Sequence, residues 1–477
     1  MKNKIKTFVL NHRSKAVPVR FSNEEYVSKK QEYEAFINGI IQETEQYRLK
    51  EKPNLSCTDH PVMIKPANMI SMVGDSMGRV FEYEGMILRG IYPGQFDAFK
   101  QIYDSGILTV LARHRLIPEL TVTDYVTDEF CLVINAEIVS IQESRDWNYA
   151  MYRDACILVA ELGMILNHFG FTLADGHLNN VTFDHGNPIF VDIGSIISGT
   201  ETGYRTELLF AGIYHLIFGF IGNSMMYRML THDDNNGNIF VFPRSYNLFA
   251  REYQMASAAL RRYYLFHGSF LQKRIVHNMV ENHEYDPWDI ELLFPIMRTA
   301  EDNPYTCWKE LADLIGSHDD IHSVTITGGT SGDLEVQLLK QYPKLSLIAA
   351  DYREHRLSLA YQQMKPLKGN HTDRLYNYLY LVPSAMELLK SDFAFYADPL
   401  NDSPAFWPVN DHVLANAVIR LADKYIGILY PFDSADRYKQ FIEQYLLYDA
   451  ELIQIKEFVS DRLCFASLQI KASKEQE

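Results

Sequence analysis

Little in this chain lends itself to cross-linking. Its 477 residues hold five cysteines, Cys57, Cys131, Cys156, Cys307 and Cys464, scattered and never in a C-x-x-C pair. That pattern argues against a disulfide framework and against a structural zinc. Long apolar runs are missing too. The longest, residues 208–221, is interrupted by Tyr214 and His215; it is too short and too polar for a membrane span and suits a buried helix. The start is basic, but no secretory apolar core follows it. Positive charge is in short supply overall, with 45 Lys and Arg against 61 Asp and Glu and a net charge of -16. A diffuse acidic surface repels phosphate backbones, which disfavours general nucleic-acid binding. No internal repeat or low-complexity segment is visible. These absences predict a soluble, cytoplasmic protein with no membrane span and no nucleic-acid partner.

What is present is ordinary globular material, 47% apolar and 22% charged. A single core rarely grows beyond ~250–300 residues, so two or three domains are expected. Residues 1–65 read as a helical extension and linker, with apolar residues at helical spacing over 23–50 and three prolines over 52–66. Residues 66–303 begin with short β-rich runs (69–73, 79–83, 86–91), then a helix over 96–113, strands over 120–126 and 130–135, and a long helix over 147–169 ending at Gly170. A hairpin over 181–192 follows, and 204–300 read as mainly helical. From Asp302-Asn303-Pro304 onward, residues 304–477 alternate between strand and helix.

In that last segment a β-branched strand, 324–327, feeds the small-residue turn Gly328-Gly329-Thr330-Ser331-Gly332. A helix over 333–341 and a strand over 345–350 follow, and the strand ends in Asp351. Glycines let backbone approach a ligand and place a helix N-terminus beside it. An acid at the tip of the second strand can accept both hydroxyls of a ribose. The pattern therefore suits a nucleoside ligand, and the dinucleotide fingerprint G-x-G-x-x-G is absent. Asp398, after a strand over 393–396, and His412 are candidates to orient a nucleophile. The chain closes on two strands, 450–458 and 462–470. A terminal hairpin inserted into a parallel sheet resembles the class I methyltransferase fold. That resemblance implies S-adenosylmethionine as cofactor, held by Gly328, Gly329, Thr330, Ser331, Gly332 and Asp351. Two positions depart from the family motif: Ile326 stands where an acid is usual, and Thr330 replaces a glycine.

A second constellation lies upstream. Asp175-Gly176-His177-Leu178-Asn179-Asn180, a hairpin, and then Asp192-Ile193-Gly194 reproduce the D-x-x-x-x-N … D-x-G spacing of a kinase catalytic loop and metal motif. Asp175 is placed to accept the proton of a substrate hydroxyl. Asn180 and Asp192 are placed to hold the magnesium ions that bridge the phosphates of ATP. The third strand, which in a kinase carries a phosphate-pairing Lys, offers only Arg89, and the two are not interchangeable. The turn Gly74 to Gly78 also departs from G-x-G-x-x-G.

The predicted fold class is thus an α+β kinase-like N-terminal domain followed by an α/β Rossmann-like class I methyltransferase domain. From about residue 69 the chain resembles bacterial S-adenosylmethionine-dependent methyltransferases, some nodulation-protein-like, that carry a kinase-like segment in front. The stretches that carry the resemblance are Gly78-Arg79-Val80-Phe81, Leu88 to Pro93, Ser105 to Leu108, Leu116-Ile117-Pro118, Leu173 to Phe183 and Gly186 to Ser195. Enzymes that cap O-antigen chains combine the same two activities in reverse order, an analogy that suggests a glycan or small-molecule hydroxyl or phosphate as substrate. Two alternatives stay open: a scaffold or regulatory binding protein made of a pseudokinase and a degenerate methyltransferase, and a methyltransferase directed at proteins.

Overall fold

A chain this long exceeds what one core supports, and it divides accordingly. The structure is a computed structural model. It describes residues 21–70, 77–137, 147, 149–176, 178–184, 186–199, 258, 260–262, 264–266, 268–282, 286–295, 306–328, 330, 332–350, 354–367, 375–378, 390–397, 421–431, 434–445 and 450–471. Contacts separate it into two units, residues Met1–Arg145 with Met151–Pro295, and Asp146–Ala150 with Ile296–Glu477. Most of the stretch read as helical over 204–300 lies outside the described residues.

The first unit opens with α1 (Asn23–Glu51), followed by β1 (Val62–Met63). Next come β2 (Asn68–Met69), β3 (Gly78–Tyr83), β4 (Met86–Ile91), α2 (Phe96–Asp104), α3 (Ile107–Arg113), β5 (Leu120–Val122), β6 (Tyr125–Val126) and β7 (Leu132–Ala136). Five of these strands form an antiparallel sheet in the order β2-β3-β4-β7-β5, while β6 pairs with β1. After α4 (Tyr149–His168) come β8 (Phe171–Leu173), the hairpin β9 (Val181–Asp184) and β10 (Asn187–Phe190), β11 (Ile196–Ser198), α5 (Phe270–His277) and α6 (Pro287–Leu293). β11 pairs antiparallel with β8.

Local chemistry explains the boundaries. Ser22 caps α1: its hydroxyl accepts the Glu25 N–H at 3.1 Å, and the Glu25 carboxylate accepts the Ser22 N–H. This Ser-x-x-Glu box satisfies two orphan donors at once. The single helix expected over 96–113 is two, broken at Ser105-Gly106. Gly106 sits at φ +80, and a Cβ there would lie 2.8 Å from the Tyr47 ring. The strand expected over 120–126 is likewise split into β5 and β6.

The second unit contains α7 (Trp308–Gly316), β12 (Ser323–Gly328), α8 (Asp333–Gln341), β13 (Ser346–Ala350), α9 (Glu354–Met364), β14 (Leu375–Tyr378), β15 (Ser391–Ala397), β16 (Ala422–Pro431), α10 (Ala435–Tyr445), β17 (Ala450–Phe458) and β18 (Leu463–Ile470). Its sheet has seven strands in the order β14-β13-β12-β15-β16-β18-β17. β18 runs antiparallel to both neighbours, and the other pairings are parallel. β17, at the edge, carries a register shift between Leu452 and Gln454. This Rossmann-like sheet with its reversed penultimate strand is the class I methyltransferase topology expected from the closing hairpin. β14 and α10 were not legible in the sequence.

Parallel strands are covered on both faces and so read as apolar runs. Phe393, Phe395, Val324 and Ile326 pack with Leu311, Ile315, Leu334 and Leu338 in one core. Ala394, Tyr396, Ile426 and Ile428 pack with Tyr438 and Ile442 in another, on the opposite side of the pleat. The register is pinned at the amino-terminal end of β12 by Asp392, whose carboxylate accepts the His322 N–H at 2.8 Å and the Ser323 N–H at 3.1 Å.

In the first unit, α1 is held to α6 by polar contacts. Tyr33 Oη donates to Glu291 at 2.6 Å, and Trp288 Nε1 donates to Tyr26 Oη at 3.3 Å. Beside them the buried Asp289 leaves its Oδ1 without a hydrogen-bond partner. Burial, with the charge of Asp286 adding, pushes its carboxyl up to about 7 despite Tyr26, Lys30 and Arg274. A raised carboxyl stabilises the fold below its unfolded pKa near 4, and that contribution is lost as pH rises through about 7. Asp289→Asn should therefore flatten the decline in urea-unfolding free energy between pH 5 and pH 8, by roughly 3 kcal/mol at most relative to wild type. An unchanged pH slope in the variant would contradict this account.

Candidate functional site

The sheet of the second unit reverses direction of growth at β12: β13 and β14 lie on one side, β15 and β16 on the other. Such a switch point opens a crevice beyond the carboxyl ends of the strands. Register puts Gly328 there, together with the residues that precede two other predicted positions in the sequence. β12 ends at Gly328, which stands opposite Ala397, the residue before Asp398. Thr327 stands opposite Ala350, the residue before Asp351. The backbone therefore brings the carboxyl ends of β12, β13 and β15 to one sheet edge, as three adjacent strands. Asp351, Asp398, His412, Gly329 and Ser331 themselves lie outside the described residues.

Within the turn, two predicted contact residues have structural partners. Thr330 is fully buried, and its hydroxyl donates to Glu335, lying 2.6 Å from each carboxylate oxygen. Glu335, also buried, sits in the first turn of α8, where a carboxylate complements the exposed N–H groups. The Thr330 side chain is thus committed inward, and its carbonyl accepts the Asp333 N–H at 3.0 Å. Gly332 caps α8 at φ +99, and a Cβ there would lie 2.8 Å from the Ala360 Cα on α9. Its absent side chain lets α8 and α9 pack closely.

In the first unit the loop after β8 and the D-x-G turn are laced together. Asn180 Nδ2 donates to the Asp175 carbonyl at 2.7 Å. The Val191 N–H donates to the Asn180 carbonyl at 2.8 Å, and the Ala174 N–H donates to the Ser195 carbonyl at 2.6 Å. Asp192 caps the turn: its Oδ1 accepts the Gly194 N–H at 3.2 Å, and Ser195 Oγ donates to its carbonyl at 2.8 Å. Asp175 is exposed. The sequence thus located the loop, and the structure brings Asp175, Asn180 and Asp192 together through its backbone.

Arg89 joins them from β4. Alternation on the strand sends Leu88 into a core with Phe81, Phe130 and Val133, and sends Arg89 to the other face. There Arg89 Nη2 donates to Asp192 Oδ1 at 2.6 Å, with the two side chains 5% and 23% exposed. Sequence reasoning expected Arg89 at phosphates and Asp192 at a metal; their direct pairing across 103 residues was not foreseen. The same is true of Glu335, for which the only signal was an acid in a helix's first turn.

No known protein family and no curated protein matches the chain. Solved structures similar to part of it include magnesium protoporphyrin IX methyltransferase from Synechocystis PCC 6803 with bound SAM, at 11% identity, 34% of this chain, 78% of that chain and a TM-score of 0.28. A SAM-dependent methyltransferase from Aquifex aeolicus is similar at 14% identity, 36% of this chain, 95% of that chain and a TM-score of 0.28. The Methanococcus jannaschii fibrillarin pre-rRNA processing protein is similar at 8% identity, 31% of this chain, 66% of that chain and a TM-score of 0.25. The fold of the second unit rests instead on its own strand order. Among the described residues no helix is long and apolar enough to cross a membrane.

The packing role of Gly332 is testable. Gly332→Ala adds strain at positive φ and a backbone clash, and should cost roughly 2–4 kcal/mol in denaturant unfolding. A cost below ~0.5 kcal/mol would show that α9 yields freely.

Proposed function

We propose that the chain is an S-adenosylmethionine-dependent methyltransferase with a kinase-like, nucleotide-binding N-terminal unit, acting on a small molecule or glycan at a hydroxyl or phosphate. One observation supports the methyltransferase reading: the register that aligns the carboxyl ends of β12, β13 and β15 at the switch point. The residues there suit the cofactor. The turn lets backbone approach its carboxyl-terminal portion, and Asp351 follows β13 directly, where it would take the ribose hydroxyls. The cofactor, when bound, supplies a methyl group already activated by its sulfonium. The protein's task is then alignment of the acceptor, for which Asp398 is the nearest candidate by register. A general base is optional in such chemistry.

The kinase-like reading is supported by order as well as motif. The antiparallel sheet has helices inserted between its third and fourth strands in chain order. Arg89 on the third strand reaches the D-x-G aspartate. β8 and β11 flank the catalytic-type loop and its hairpin. A second reading, in which this unit holds its ligand and transfers nothing, is favoured by that same Arg89–Asp192 contact, because it engages the carboxylate a metal would need.

Melting of the full-length protein with saturating S-adenosylmethionine or S-adenosylhomocysteine tests the first reading. At ~100 times the dissociation constant the ligand should add roughly 2.7 kcal/mol. Asp351→Ala should abolish the shift while leaving the ligand-free melt in place. Absence of any shift in wild type at saturation would sink the methyltransferase assignment.

A further inference from the structure

We propose that the first turns of α1 form a proton-controlled latch on α6, docked while Asp289 is protonated and loosened as it ionises.

The first half of α1 has little apolar packing to hold it. From Ser22 to Phe36 no residue is buried; the buried apolar side chains of the helix, Ile37, Ile40 and Ile41, come later. The second half is tied to the end of α3, where Glu43 meets His114 at 2.8 Å and Arg113 at 3.4 Å. The first half meets α6 through polar side chains instead. Tyr33 donates to Glu291, and Lys29 lies 3.6 Å from the same carboxylate. Lys30 stands 5.1 Å from the centre of the Trp288 ring, and Trp288 donates to Tyr26.

Asp289 shares this junction. It is 7% exposed, and its Oδ1 has no hydrogen-bond partner. An ionised carboxylate so placed carries a charge without its solvation, a penalty the neutral acid avoids. The groups that face it are Tyr26 and Lys30 on α1, Asp286 at the start of α6 and Arg274 on α5. Asp286 opposes a second negative charge, while Lys30 and Arg274 favour it. Tyr26 is itself pushed up to about 12 by burial and by Asp289, so it stays neutral around neutral pH. Lys29, raised by its carboxylate partners against burial, stays charged there.

Undocking the turns that carry Tyr26 and Lys30 hydrates Asp289, which gives its proton to water and becomes an ordinary carboxylate. Opening therefore grows easier as pH rises from about 4 to about 7. It levels off above that, where the carboxyl is ionised in both states. The loosened turns fray, because a short helix without packing is marginal in water. Docking is thus tightest in mild acid and weakest from neutrality upward.

The experiment is hydrogen exchange of the full-length protein between pH 5 and pH 8, corrected for intrinsic rates, with and without sub-denaturing urea. The opening constant for amides of residues 26–34 should rise ~50–100-fold across that range, flatten above pH ~7, and ignore the urea. Amides of β4 should be far better protected and should respond to urea, because they exchange on global unfolding. Asp289→Asn should hold the α1 rise to under ~threefold, and the wild-type comparison needs no variant. A wild-type rise below ~threefold overturns the inference. So does α1 exchange that matches β4 in protection and urea response, since the opening would then be global. An Asp289→Asn protein that keeps the wild-type slope places the proton on another group and overturns it as well.

Discussion

Everything in the second unit depends on one constraint: parallel neighbours in a sheet can be joined only by crossovers. Growth from β12 toward β13 and β14, and then toward β15 and β16, forces the chain to reverse its direction of travel across the sheet. Strands follow in chain order outward from β12 through β14 on one side and from β15 to β16 on the other, so this adjacent pair marks the reversal. The carboxyl ends of β12 and its two neighbours therefore lie side by side without any side chain having to bring them together. The α8–α9 contact at Gly332 and the Thr330–Glu335 hydrogen bond then hold the turn after β12 in place from behind.

In the first unit the organising element is a part-buried ion pair. A buried pair is weak evidence for stability, since desolvation offsets most of its attraction. Its value lies in geometry. Arg89 belongs to an antiparallel sheet and Asp192 to a turn braced by backbone bonds to the loop after β8. The pair fixes the distance between two otherwise separate layers.

Much of this was legible in the sequence, for reasons that differ by element. The D-x-x-x-x-N and D-x-G motifs are local in sequence, and the hairpin between them is short, so spacing alone located the loop. The closing hairpin was legible because β17 and β18 are long, β-rich and separated by a short turn. β14 was not, being four residues long with no distinctive flanks. Gly332 and Thr330 were read as ligand contacts because small and hydroxylic residues in a turn serve packing and binding equally well. Their three-dimensional neighbours, Ala360 and Glu335, show the packing side of that double use. The break at Gly106 was hidden because helical periodicity continues through it. The Arg89–Asp192 contact is non-local, and sequence patterns carry no information about such pairs.

The register shift in β17 has a consequence for how the protein meets its own kind. An edge strand is a template onto which another chain can add. β17 bears Glu451, Lys456 and Glu457 along its length, and its shift pushes Ile453 out to 46% exposure at the point where flat pairing would otherwise continue. Charge and a local kink are the usual means of blunting an edge. On that side the sheet presents a charged, kinked edge, a poor template for strand addition.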